Sequence, residues 1–115
     1  MTDDLREIKQ SWHLLKALSY TTKPVYVFLL KHNKTNKTLI NSIRSCCFNI
    51  RQNSFPLSTV EKQHLKKSIR TIEILSSSKE KHTVLLSNIL KNYNLIQFIL
   101  KVSFKFLTEI VDKID

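Results

Sequence analysis

Residues 38–61 read TLINSIRSCCFNIR-QNSFPL-STVE, and this stretch decides the fold class. In its first part Leu39, Ile40, Ile43, Cys46, Cys47 and Ile50 fall within an arc of about 120° at about 100° per residue. That spacing predicts an amphipathic helix from about Thr38 to Arg51. Gln52–Leu57 interrupts it, and Asn53 can take the left-handed conformation that closes many helices. Ser58-Thr59-Val60-Glu61 then has the spacing of a capping box, in which the Ser58 hydroxyl and the Glu61 carboxylate reciprocally satisfy backbone N–H groups. The helix it starts, 59–75, is expected to bury Leu65, Ile69, Ile72 and Leu75. A helix, a defined stop and a capped restart make the class all-α.

The same period extends in both directions. Leu5, Ile8, Trp12, Leu15 and Leu18 predict a helix over 4–19, with Asp3 and Asp4 complementing the dipole at its start. Thr22-Lys23-Pro24 opens a short helix carrying Val25, Phe28 and Leu29 and ending near His32-Asn33, since proline is tolerated in a first turn. Towards the C-terminus Ser76-Ser77-Ser78 is a break, and Ser77 with Glu80 offers a second capping box. Residues 79–113 are helical in character, with an interruption at Asn92-Tyr93-Asn94. Within 95–111 the apolar residues wrap nearly the whole circumference, which places that segment at a bundle centre, in an oligomer or in lipid. The expectation is a compact helical bundle of five or six helices in one domain, 1–115, with 95–113 able to serve as a docking or oligomerisation helix.

Composition narrows the function classes. The 115 residues include no glycine, where a frequency of about 7% would give roughly eight. Glycine supplies positive φ and close backbone approach, so its absence argues against a dinucleotide-binding fingerprint, a P-loop and a nucleophile elbow. The net charge is +10 and unevenly placed. Residues 8–108 hold 17 basic residues against only Glu61, Glu73 and Glu80, a net +14, while 1–7 and 109–115 each carry −2. Such a body favours an anionic partner. The adjacent Cys46 and Cys47 cannot close an ordinary disulfide loop and read as small core residues in a reducing compartment. The acidic start, Met1-Thr2-Asp3-Asp4, lacks the basic and apolar regions of a secretory signal, so the expectation is an intracellular chain in which the two Asn-Lys-Thr sequences at Asn33 and Asn36 are chance matches to the glycosylation pattern.

The basic residues have an order. Lys37, Arg44 and Arg51 are seven apart and lie within about 40° of one another on the 38–51 helix, with Phe48 projecting between the last two. Lys62, Lys66 and Arg70 form a ladder on the next helix, with Lys67 nearby, and Lys31 and Lys34 extend the set. Long lysines and forked arginines on adjacent helices suit phosphate contacts, which position a protein on nucleic acid without reading sequence. A solvated face is the ordinary alternative for such a ladder. Catalysis finds little support. Glu61 has a capping role, and Glu73 is expected to pair with the ladder on the surface. His13, His32, His64 and His82 are scattered without metal-ligand spacing. Neither a metal nor a cofactor is called for. If the C-terminal helix docks instead, Phe98, Val102, Phe106 and Ile110 are its interaction residues. A membrane span is disfavoured by Lys101 and Lys105, each costing about 2.5–3.5 kcal/mol at a bilayer centre. Surface insertion of Phe98, Phe104 and Phe106 is a third expectation.

The order of anchors Leu39-Ile40, Ile43, Cys46, Asn49, Asn53, Leu57-Ser58, Lys62 and Leu65, preceded by Leu14-Leu15-Lys16 and Leu29-Leu30-Lys31, resembles small basic proteins encoded by Maverick/Polinton elements and the related adintoviruses. The likeness covers about residues 14–76. It implies a product of a virus-like DNA element that accompanies its genome or capsid, in the host nucleus or the viral particle. It brings no catalytic residues. The relatives often have glycine before their PLS-like stretch and a lysine-rich C-terminal part, where this chain has Asn53-Ser54-Phe55 and a glycine-free apolar helix. The leading expectation is therefore non-specific binding of nucleic acid, DNA first. The alternatives are a homo-oligomer or a capsid-protein partner through the C-terminal helix, or peripheral membrane activity.

Overall fold

In the computed structural model, which describes residues 2–77 and 79–113 and their side chains from Leu5 onward, the chain is helical throughout. The helices are α1 (Thr2–Gln10), α2 (Trp12–Tyr20), α3 (Lys23–His32), α4 (Lys37–Arg51), α5 (Thr59–Lys66), α6 (Ile69–Ser76), α7 (His82–Lys91) and α8 (Tyr93–Asp112). Eight helices among the described residues replace the expected five or six, because two long predicted helices are each divided. The side chains of Asp3 and Asp4, expected at the first N-terminus, lie outside the described residues.

The first division is at Ser11. Its backbone, φ −98° and ψ 9°, lies off the helical region, yet its N–H still bonds Glu7 O at 3.1 Å. The bend lets α1 pack on α4 while α2 packs on α8. The second is at Lys67–Ser68, where Ser68 (φ −116°, ψ 22°) turns the chain and its N–H bonds Leu65 O at 3.0 Å. Beyond this turn α6 lies against α4. Leu65, Ile72 and Leu75 are buried as the spacing requires, but Ile69 is 45% exposed, contrary to expectation. The turn breaks the periodicity that placed Ile69 inward.

Helix ends substitute for glycine in three ways. Asn53 has φ 56°, in the left-handed region, and follows α4 closely. The Ser58–Glu61 capping box forms in full: Glu61 N–H donates to Ser58 Oγ at 3.1 Å, and Ser58 N–H to Glu61 Oε1 at 2.9 Å. Asn36 caps α4 by accepting from Leu39 N–H at 3.0 Å, so that helix begins one residue before the expected Thr38. The second predicted box does not form. Ser77 Oγ accepts from Lys79 N–H at 3.2 Å, and α7 starts only at His82 with Lys81 before it. Asn92 ends α7 at the expected interruption.

One apolar core draws on every helix. Leu39, Ile40, Ile43, Cys46, Cys47 and Ile50 of α4 are all buried, as their arc predicts. Around them pack α1, α2, α6, α7 and α8. The apolar circumference of 95–111 is explained by its neighbours, since α8 lies against α1, α2, α4 and α7. Polar groups at the helix ends tie the long-range contacts: Tyr26 Oη donates to Ile89 O at 2.6 Å, Tyr93 Oη to Thr21 O at 2.6 Å, and Gln97 Nε2 to Leu18 O and Thr21 O at 2.9 and 2.8 Å. The radius of gyration, 13.0 Å, equals the roughly 13 Å expected of a fully compacted chain of this length.

Candidate nucleic-acid interface

The basic residues separate into two grooves rather than one continuous stripe. Where α5 turns away from the end of α4, a groove of about 280 Å³ opens, with Arg51, Lys62 and Lys66 on its rim and Ile50, Leu65 and Ile72 among the residues beneath. None of its lining residues is a carboxylate. Arg51 is steadied by Nη1 donating to Ser76 Oγ at 3.5 Å, a long bond that leaves the guanidinium largely available. The nearest acid in sequence, Glu61, is engaged elsewhere. Its Oε2 accepts from Lys105 Nζ at 2.7 Å, and this hydrogen bond, with the capping contact to Ser58, holds its carboxyl below the usual range. The three rim cations therefore face the groove without a counter-charge among its lining.

The second groove, about 250 Å³, is lined by Lys37, Asn41, Arg44, Glu80, His82 and Leu85. Here Glu80 offsets part of the charge of Lys37 and Arg44. His82 Nε2 lies 2.6 Å from Lys34 O, a contact in which Nε2–H must be the donor, and this brings the α3–α4 connection against the start of α7. Lys34 is thus beside the second groove. Phe48, 40% exposed, lies between Arg44 and Arg51 along α4 and lines neither groove.

The remaining predicted cations are dispersed. Lys67 lines a shallow depression with Val60, Gln63 and His64, away from Lys62 and Lys66. Arg70 is exposed on α6 and Lys31 at the end of α3, and neither lines the two grooves. The Lys62–Lys66–Arg70 ladder does not continue in one line, because the turn at Ser68 rotates Arg70 away from its expected register. Glu73, expected to pair with the ladder, forms no ion pair among the described residues.

The proposed docking residues also divide. Val102 is 2% exposed and belongs to the core, so it cannot meet a partner. Phe98 packs on the ring of His64 at 4.2 Å, and Phe106 stacks on Phe55 at 5.2 Å with 14° between planes. Ile110 is 45% exposed. Phe106 and Ile110, with Leu5, Phe55 and Pro56, line an apolar groove of about 340 Å³.

Burial raises the Cys46 thiol to about 12 and pushes Cys47 higher, so neither is a ready nucleophile. Burial likewise raises the Tyr26 hydroxyl. Among the described residues no group of three or more His, Cys, Asp or Glu could hold a metal ion, and no helix is long and apolar enough to cross a membrane. No protein-family model matches the chain, and no curated protein or solved structure gives a match.

Proposed function

We propose that the protein binds nucleic acid through phosphate contacts, non-specifically and without catalysis, as a companion of the genome of a virus-like DNA element. The observation that carries the reading is the convergence of Arg51, Lys62 and Lys66 on one groove whose lining contains no carboxylate. Lys37 and Arg44 add a second cationic groove earlier along α4, with the Lys34 backbone beside it, at reduced strength because of Glu80. The resemblance of residues 14–76 to Maverick/Polinton and adintovirus proteins supports the genomic setting. Neutralising three to five phosphates releases counterions, and the slope of log K against log salt should lie between about −2 and −4.5. Fluorescence anisotropy with labelled strands across a salt series tests this. Salt-independent binding, or none at low salt, removes the reading.

A second reading, docking of another chain, draws on the apolar groove at Leu5, Phe55, Phe106 and Ile110. Sedimentation of the native chain and Ile110→Asn separates the two. A concentration-dependent oligomer lost in the variant supports docking of a second copy of this chain, and a monomer in both removes that docking.

A further inference from the structure

Phosphate neutralisation leaves half of the α4–α5–α6 groove without a use. Its rim is cationic, but Leu57 and Ile69 form apolar walls and Ile50, Leu65 and Ile72 an apolar base. Ile69, 45% exposed, is one of several exposed large apolar residues of the surface, and the one that lines this groove beside Lys62 and Lys66. A ligand that suits both halves carries a flat, largely apolar body a short distance from an anion. At about 280 Å³ the groove is smaller than typical drug-sized sites of about 300–1,000 Å³ and suits one heterocycle. A duplex supplies one only at the cost of unpairing and unstacking it, whereas a single strand turns a base out far more readily. Outside the groove, between Arg44 and Arg51 on α4, Phe48 is 40% exposed and offers an aromatic face near cations, the combination of stacking surface and cation used for single strands.

The geometry points to single-stranded nucleic acid as the ligand, with one unstacked base seated against Leu57 and Ile69 and its flanking phosphates on Arg51, Lys62 and Lys66. This rests on the nucleic-acid reading above and specifies the ligand of that same site. The site selects for a base by its shape and apolar walls, and with Arg51, Lys62 and Lys66 on phosphates Asn53 is the one neutral polar side chain of its lining left to read base identity.

The full chain is titrated at fixed salt with an oligothymidine, an abasic deoxyribose-phosphate strand of equal length, a blunt duplex and a polyglutamate of matched charge. The oligothymidine should bind about tenfold more tightly than the abasic strand and the duplex. Ile69→Ser, at a half-exposed position, should reduce that advantage to about twofold or less. Phe48→Ala provides an independent variant outside the groove and should lower the same ratio. Equal affinity for oligothymidine and abasic strands, each steeply salt-dependent, overturns the base seat and leaves the phosphate reading intact. Tighter binding of the duplex does the same. Polyglutamate binding as tightly as oligothymidine overturns the base seat in favour of an acidic peptide. Failure of every nucleic-acid probe to bind at low salt overturns both.

Discussion

At the scale of single residues, burial and capping do most to set behaviour. Cys46 and Cys47 lie side by side in α4 with both thiols enclosed, and loss of hydration raises Cys46 from 9.0 to about 12. A group whose folded pKa is raised stabilises fully below its unfolded value and loses that contribution as pH rises through the folded one. Stability should therefore fall between about pH 9 and pH 12, as the unfolded chain ionises its thiols first. Urea midpoints across that range check this, with Cys46→Ala/Cys47→Ala showing a shallower decline because the thiols no longer contribute. A decline of equal steepness in both chains would contradict it. The capping box carries a separate expectation: Ser58→Ala should cost about 1 kcal/mol in urea unfolding. Both features were legible in the sequence, because each depends on local spacing. The Asn36 cap was missed although Asn36 precedes the periodic residues by only three positions, a signal hidden in a connection read as merely polar.

Among elements, the contrast between legible and illegible is sharpest at α5 and α6. Periodicity placed Leu65, Ile72 and Leu75 correctly, since those positions follow the apolar arc on either side of the turn. It could not place Ile69 or Arg70, because nothing in Lys66-Lys67-Ser68-Ile69 marks a break as glycine or proline would. The break is a tertiary effect: α6 lies on α4, and α5 diverges from it. That divergence creates the groove, so the most important part of the candidate site was the part periodicity could not reveal. Serine at residue 11 hides a bend in the same way. In α8 the composition admitted a core, an oligomer or a lipid setting, and its packing against four helices makes it core. Leu100→Ala should accordingly cost about 2–5 kcal/mol. Ile110→Ala, near the exposed end of the same helix, should change stability by no more than about 0.5 kcal/mol. Equal losses at the two positions, measured by chemical denaturation, would contradict this division.

For the whole molecule, net charge and its placement have different consequences. A chain of +10 will attract any polyanion at low salt, so weak binding alone says little about a site. What is specific is that three cations meet at one groove without a carboxylate among its lining, while Glu61 is held by Lys105 and Glu80 sits with Lys37 and Arg44. The chain's charge was legible in composition. Its division into a stronger and a weaker groove was not, because that depends on which acids are already engaged. The most direct measurement compares two triple charge reversals of identical net charge by salt-titrated binding to single-stranded DNA. One is Arg51→Glu/Lys62→Glu/Lys66→Glu, and the other reverses the exposed Lys16, Lys23 and Lys91. Binding localised at the groove predicts that the first set weakens binding far more than the second and flattens the salt slope, with helical content unchanged. The second set should retain most of the affinity. Equal weakening by both sets, or retained binding by the first, would contradict a localised phosphate site.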